Sequence, residues 1–329
     1  MGTILKEKIK GTVAWTGKEL SKDDSWIYYL TDKIIASLEY ALNEVMKKGF
    51  KVPDFTKEDF PIPDLTDEIA YFVEELENGQ GFLLIRGLPI QRYTDEEASI
   101  IYYGLGLHMG IPVAQNPKGE MLGHVISVGD PNKKETRVYQ TNSHLPYHTD
   151  LSDVVGLLSL RKAKSGGLSS LASAVSVYNR IVEKHPEFLS IFYRRFYFAH
   201  LGEEIPTLSP IFSYYQDKLS CRYLRGYIEL GQEMQGAELS KVEKEAFDLL
   251  DSILHDEEIR FDMMLEPGDI QFANNYTVLH SRTHFEDFEE PERKRHLLRL
   301  WLKMPNARNL ASEFPGRNGF PRREEPANT

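Results

Sequence analysis

The chain has a single cysteine, Cys221, among its 329 residues, so no disulfide can form within it. One lone thiol is typical of proteins that stay in a reducing compartment. Long apolar stretches are missing too: no run approaches the roughly 20 residues that a membrane-spanning helix needs. Charged residues follow Met1 closely and leave no apolar core for a secretion signal. We therefore expect a soluble, cytoplasmic protein without a membrane partner.

Basic residues are outnumbered, because 39 lysines and arginines stand against 50 acids for a net charge of −11. A negative surface repels nucleic acid, which leaves a small molecule as the expected partner. The chain contains neither repeats nor a low-complexity linker, and nothing in it indicates an oligomeric state. We expect one domain over residues 1–329, with a largely helical portion at 1–80, a core at 81–304 and a polar tail at 305–329.

The first third carries helical periodicity. Apolar residues recur every three or four positions over Asp32–Lys47 and again over Thr66–Glu77. Thr94 with Glu97, and later Ser240 with Glu243, are spaced as capping boxes that start helices.

From about Val125 onward, short strand-like runs alternate with turns. Val154–Leu160, Gly268–Phe272 and Arg295–Leu302 are predicted strands, and a helical insertion is predicted from about Ser176 to Lys184. Many short strands with inserted helices favour a mainly β fold, a double-stranded β-helix (jelly roll), over a parallel α/β sheet.

His148 and Asp150 form a His-x-Asp triplet, and His280 lies in the apolar run Val278–Ser281. Side chains two positions apart on a strand share a face, and a distant strand can supply a third ligand. Two imidazoles and a carboxylate cover one face of an iron(II) ion and leave the other face open. Alone, such a triplet also arises by chance as ordinary loop polarity.

Two arginines strengthen the metal hypothesis. Arg295 and Arg299 fall on one face of the last predicted strand, beside leucine and tryptophan. Buried guanidinium groups are costly unless they meet anions, so each is a natural anchor for an organic acid. The alternative is that both pair with protein acids such as Glu286 or Asp287.

Together these segments resemble the taurine dioxygenase (TauD/TfdA-like) family of iron(II)- and 2-oxoglutarate-dependent oxygenases. The resemblance runs from about Gly81 to Leu302 with the motifs in the same order. It implies iron ligation by His148, Asp150 and His280. It also implies Arg295 for the distal carboxylate of 2-oxoglutarate, assisted by Ser169 after the Ser165-Gly166-Gly167 turn, and it puts Arg299 nearer the primary substrate.

The implied activity is oxidation of a C–H bond in a small organic molecule such as an amino acid or an acid-bearing natural-product intermediate. Oxygen is consumed and 2-oxoglutarate is decarboxylated to succinate. Desaturation, cyclisation or a catalytically silent binding protein are the alternatives, while the carboxylate of Asp150 argues against halogenation. Gln115 and Asn116 precede the metal motif in a polar loop, and either lines the substrate pocket or belongs to the surface.

Overall fold

The computed structural model describes residues 3–127, 141–200 and 203–320. Residues 321–329 of the predicted polar tail lie outside the described residues. The α-helices in those ranges are α1 (Gly17–Leu20), α2 (Asp32–Lys47), α3 (Thr66–Asn78), α4 (Asp95–Met109), α5 (Ala174–Lys184), α6 (Leu189–Phe192), α7 (Arg225–Met234) and α8 (Lys241–Leu254). The strands are β1 (Ile27–Tyr29), β2 (Phe82–Arg86), β3 (Ile111–Pro112), β4 (Leu122–Ile126), β5 (Leu145–His148), β6 (Val154–Arg161), β7 (Ser165–Gly166), β8 (Ser169–Ser173), β9 (Arg195–Phe198), β10 (Thr207–Pro210), β11 (Phe212–Tyr215), β12 (Lys218–Cys221), β13 (Phe261–Met263), β14 (Ile270–Asn274), β15 (Val278–Arg282), β16 (Phe285–Glu286) and β17 (His296–Lys303).

The two capping boxes predicted from the sequence are present at the starts of α4 and α8. The Thr94 hydroxyl accepts a hydrogen bond from the backbone N–H of Glu97, whose carboxylate accepts one from the backbone of Thr94. Ser240 and Glu243 form the same reciprocal pair at the start of α8. Helix α2 has the predicted bounds, and α5 begins two residues before its predicted start, at Ala174.

A seven-stranded sheet, called the larger sheet below, forms one layer. Its strand order is β1-β2-β14-β6-β17-β3, and β4 also pairs with β17. Among the strand pairs described for this sheet, β1–β2 is parallel and the others are antiparallel. Strand β1 was not predicted, because residues 1–80 were expected to be largely helical. Its three residues are held by pairing with Leu84–Arg86 of β2, a contact that local periodicity does not reveal.

The predicted two-residue alternation holds along β17. Leu297 and Trp301 pack into the apolar cluster on one face, while the leucines between them pack against the helices on the other. The strand begins at His296, one residue after the prediction. Arg295 lies outside the strand, because its backbone N–H donates to the Asp287 carboxylate at 2.7 Å and is not paired in the sheet.

A four-stranded antiparallel sheet, the smaller sheet, has the order β13-β8-β15-β5. Its inner face meets the larger sheet through a shared apolar cluster that includes Leu171 and Val278 from one side and Val155 and Ala273 from the other. The interior between the two sheets is where the candidate site residues lie.

Helices cover both outer faces. Helices α2, α3 and α4 pack on the larger sheet, and α5 and α8 pack behind the smaller one. No helix in the described ranges is long and apolar enough to cross a bilayer. The architecture is therefore mixed sheets with helices, with the sheets face to face and the helices outside.

Candidate metal centre

His148, Asp150 and His280 meet between the two sheets. His148 is the last residue of β5, and its register partner on β15 is His280. Potential ligand atoms of the three side chains all lie within 4.8 Å of one another. The Nε2 atoms of His148 and His280 are 3.9 and 3.5 Å from the two carboxylate oxygens of Asp150. Two nitrogen donors and one oxygen donor in this arrangement fit a divalent iron ion.

His148 presents a defined nitrogen to the centre. Its Nδ1 lies 2.8 Å from the carbonyl oxygen of Pro146, which only accepts hydrogen bonds, so Nδ1 carries the proton. Nε2 is then the unprotonated atom facing Asp150. Burial, together with the neighbouring His280, lowers the pKa of His148 to about 4. The imidazole is thus neutral near pH 7, the form that binds metals.

Asp150 is held by two residues from distant segments. The side-chain oxygen of Asn275 accepts the Asp150 backbone N–H at 2.9 Å, and Trp301 Nε1 donates to the Asp150 carboxylate at 3.1 Å. Burial opposes the charge on Asp150, but the hydrogen bond to His280 and the charge of Arg299 hold the carboxyl pKa below its ordinary value. The carboxylate is therefore ionised and oriented before any metal binds.

A small cavity of about 60 Å³ opens on one side of the three residues. Arg295 and Arg282 both line it, and both guanidinium groups stack on the ring of Phe285, at 5.1 and 4.8 Å. Gly167 allows this approach, because a Cβ there would lie 3.3 Å from Arg295 Nε. Its φ of +74° is also one that glycine adopts most easily.

Neither guanidinium has an ion-pair partner among the described residues. Arg282 donates through Nη2 to the carbonyl oxygens of Thr141 and Ser143, while its Nε and Nη1 stay buried without a partner. Burial lowers the pKa of Arg295 to about 9 and that of Arg282 to about 10, so both remain charged near neutral pH. The predicted alternative was an ion pair between Arg295 and an acid such as Asp287. Asp287 accepts a hydrogen bond from the backbone N–H of Arg295 and forms no ion pair with its guanidinium. Sequence reasoning missed Arg282, although it lies two residues after His280 on the same strand face.

Ser169 lines the same small cavity at the start of β8. Its hydroxyl donates to the side-chain oxygen of Gln271 at 2.7 Å. The oxygen lone pairs of the hydroxyl can still accept, but its proton is committed to Gln271.

Arg299 lies between the small cavity and a second, larger one of about 250 Å³. Gln115 is buried beside it and lines neither cavity. Its side-chain oxygen accepts from Arg299 Nε at 2.7 Å, and its amide donates to the Arg299 carbonyl oxygen at 2.6 Å. Asn116 lies outside both cavities in a turn, where it bonds Glu120 and the backbone of Lys118. Gln115 thus orients an arginine, and Asn116 fits the surface alternative.

The larger cavity borders His148 and Asp150 on the side away from Arg295. Its walls are mainly apolar and aromatic, with Arg299 and Arg222 as its charged groups besides the centre itself. The lining residues that come from beyond the two sheets are Phe198, His200, Arg222, Tyr223, Leu224, Gly226, Tyr227 and Phe320. Arg222 was not recognised in the sequence, because it lies in an inserted segment with no motif around it.

Comparison with known proteins agrees with this geometry. Residues 48–301 match the family described as "Taurine catabolism dioxygenase TauD, TfdA family". The chain is 35% identical over 324 residues to the FR-33289 synthase of Streptomyces rubellomurinus (strain ATCC 31215), covering 95% of this chain and 96% of that protein. It is 25% identical over 309 residues to the taurine hydroxylase-like protein SAT17 of Stachybotrys chartarum (strain CBS 109288 / IBT 7711), covering 90% and 80%.

Solved structures share the fold. Asparagine oxygenase in complex with Fe(II), 2S,3S-3-hydroxyasparagine and succinate superposes with a TM-score of 0.67 at 16% identity, covering 84% of this chain and 93% of that one. The non-heme iron oxygenase OrfP in complex with Fe and alpha-ketoglutaric acid gives 0.63 at 16% identity, with the same coverage.

Proposed function

The chain belongs to the TauD/TfdA dioxygenase family and is an iron(II)- and 2-oxoglutarate-dependent oxygenase, and we propose that it oxidises a small acid-bearing molecule at the His148–Asp150–His280 centre. The observation that carries the proposal is the position of this buried centre between two cavities, each lined by arginine. In this family the bound iron and 2-oxoglutarate supply the oxidation of a C–H bond, with succinate and carbon dioxide as co-products.

His148, Asp150 and His280 are the proposed iron ligands. The hydrogen bond from His148 Nδ1 to Pro146 leaves Nε2 as the ligand atom, and Trp301 and Asn275 fix the carboxylate. Such outer contacts orient ligands and raise metal affinity. Retention of the Asp150 carboxylate favours hydroxylation over halogenation, because no ligand position is vacated for chloride.

The small cavity is the proposed site for 2-oxoglutarate. Arg295 would bind the distal carboxylate, with Arg282 beside it. Ser169 would assist by turning its hydroxyl proton from Gln271 to the carboxylate. Neither guanidinium group forms an ion pair with a described residue, and Nε and Nη1 of Arg282 have no hydrogen-bond partner there. A buried unpaired charge is costly until an anion arrives. A planar guanidinium binds a carboxylate through two parallel hydrogen bonds.

The larger cavity, on the Arg299 side, is the proposed site for the primary substrate. Asparagine oxygenase and OrfP were solved with a hydroxylated asparagine and a hydroxylated arginine, and the synthase relative makes FR-33289. We therefore propose an amino acid or an acid-bearing natural-product intermediate, with hydroxylation as the outcome and desaturation or cyclisation as the alternatives. The two facing sheets support a double-stranded β-helix as the finer description of the fold, within one domain of a cytoplasmic protein.

The proposal is tested by measuring succinate formed from 2-oxoglutarate in the presence of iron(II) and oxygen, across a panel of amino acids and related acids. We expect iron-dependent succinate, stimulated by the true substrate. Asp150→Ala should abolish it, whereas His185→Ala, a change remote from the centre, should not. Succinate formation that survives Asp150→Ala would contradict the ligand assignment.

A further inference from the structure

We propose that Arg222 is a second anchor for the primary substrate, binding an oxyanion of that molecule in the larger cavity that it shares with Arg299. This inference rests on the proposed function and adds to it. The substrate should carry an oxyanion that binds Arg222, a residue that belongs to neither the larger nor the smaller sheet. Carboxylates and tetrahedral oxyanions such as phosphate share this chemistry.

Arg222 is fixed by its surroundings before any substrate binds. It follows β12, and its backbone N–H donates to Ile211 at 2.8 Å. Its guanidinium stacks over the ring of Phe314 at 5.0 Å and lies 6.0 Å from that of Phe198. Nη2 donates to the carbonyl oxygen of Pro315 at 2.5 Å. A guanidinium held in this way loses little conformational freedom when it binds an anion.

The charge on Arg222 has no counter-ion among the side chains that the structure describes. The residue is 7% exposed, and it forms no ion pair with any described residue. Arg308, whose side chain is also buried, contrasts with it because its Nε lies 3.1 Å from Glu77. Burial lowers the pKa of Arg222 to about 10, which still leaves it charged near neutral pH. A buried and unpaired guanidinium is costly, so an anion that enters the cavity relieves the cost.

A purely structural role explains only part of this arrangement. A guanidinium has five N–H donors, and the contact with Pro315 uses one nitrogen. The others make no hydrogen bond to a described residue, although the side chain lines a cavity that reaches the candidate iron ligands. If Arg222 served only to hold the segment at Pro315 in place, its side chain would not need to line a cavity or to keep free N–H donors.

The remaining walls suit an organic acid of small size. Phe198, Trp301 and Phe320 supply apolar surface, and the hydroxyl of Tyr223 is turned away to Asp251, at 2.7 Å. Charged contact is thus concentrated at Arg222 and Arg299. An oxyanion bound there would hold the substrate carbon skeleton beside His148 and Asp150.

The experiment uses inorganic phosphate and acetate as probes of the anion site. The full-length protein is loaded anaerobically with iron(II) and saturating 2-oxoglutarate, so that the small cavity is filled, and each anion is titrated in a calorimeter. We expect saturable binding of at least one anion. Arg222→Gln should weaken it about tenfold to a hundredfold, as expected for a lost charge-assisted hydrogen bond. The preferred anion tells a tetrahedral group from a planar carboxylate.

Arg317→Gln is the matched control. Arg317 lies in the same C-terminal segment but already pairs with Glu203, so its loss should leave anion binding unchanged. If Arg222→Gln does not fold, Arg222→Lys decides the matter: weaker binding supports the proposal and unchanged binding overturns it.

Two results overturn the inference while leaving the proposed function intact. One is anion binding by Arg222→Gln with wild-type affinity; the other is no saturable binding in the wild type although the absorbance of the iron–2-oxoglutarate complex has formed. If that absorbance never forms, the proposed function fails and the inference falls with it.

Discussion

Gln115 holds Arg299 at two points: its side-chain oxygen accepts from the guanidinium Nε at 2.7 Å, and its amide nitrogen donates to the Arg299 carbonyl oxygen at 2.6 Å. The contact ties the loop after β3 to the centre of β17. Because Arg299 borders both cavities, a residue that touches neither of them controls the direction of a charge at the site.

Gln115→Met should therefore impair substrate binding from a distance. The change keeps the volume but removes the two hydrogen bonds to Arg299 and a third to the carbonyl oxygen of Met121. This loss should lower the free energy of unfolding by about 1–3 kcal/mol. Misdirection of Arg299 should raise the KM for the primary substrate more than that for 2-oxoglutarate. Urea unfolding and steady-state kinetics measure the two effects. Asn116→Ala is the control, and an equal rise in KM for that variant would contradict the assignment.

Trp301→Phe should weaken iron binding. An aromatic ring remains, but the indole N–H that reaches Asp150 at 3.1 Å is lost. Loss of such an outer contact typically costs about 10- to 100-fold in metal affinity. Competition with a chelator of known affinity measures the change. Trp15→Phe removes a comparable N–H bond, to Gln80 at 2.7 Å and away from the centre, and should leave iron affinity unaltered. Equal affinity in both variants would show that Trp301 does not position the carboxylate.

Arg295→Ala and Arg299→Ala should separate the two organic ligands. Arg295 lines only the small cavity, so its loss should raise the KM for 2-oxoglutarate by about tenfold or more. Arg299→Ala should act chiefly on the primary substrate. Each variant serves as the other's control, and the reverse pattern would mean that the cavities are assigned the wrong way round.

The thiol of Cys221 should be inert in the folded protein. It is 2% exposed, and burial raises its pKa well above the ordinary value, so little thiolate forms near neutral pH. An alkylating reagent, followed by mass spectrometry, should modify it only after denaturation. Rapid modification of the native protein would contradict its burial.

The sequence predicts those features that depend on neighbours close along the chain. Capping boxes at Thr94 and Ser240 and the alternating faces of β17 are local patterns, and the structure has them. The resemblance to a known family, whose motifs occur in the same order, implied which residues bind the metal. The structure brings His148, Asp150 and His280 together as that order implies.

The missed features join segments far apart in sequence. The contacts of Trp301 with Asp150 and of Gln115 with Arg299 span 151 and 184 residues, respectively. No period or spacing encodes such a pair. Arg282 and Arg222 were missed for a related reason. Their significance lies in having no counter-ion within residues 3–127, 141–200 and 203–320, which becomes visible only when neighbouring side chains are placed.

The most direct test of the central claim is an anaerobic titration of the metal-free protein with iron(II) and then with 2-oxoglutarate. Chelation of iron by the keto acid gives a visible charge-transfer band. We expect a band that saturates at one equivalent of 2-oxoglutarate and is absent from Asp150→Ala. A folded protein that binds iron but develops no band would contradict the assignment of His148, Asp150 and His280 as an oxygenase centre.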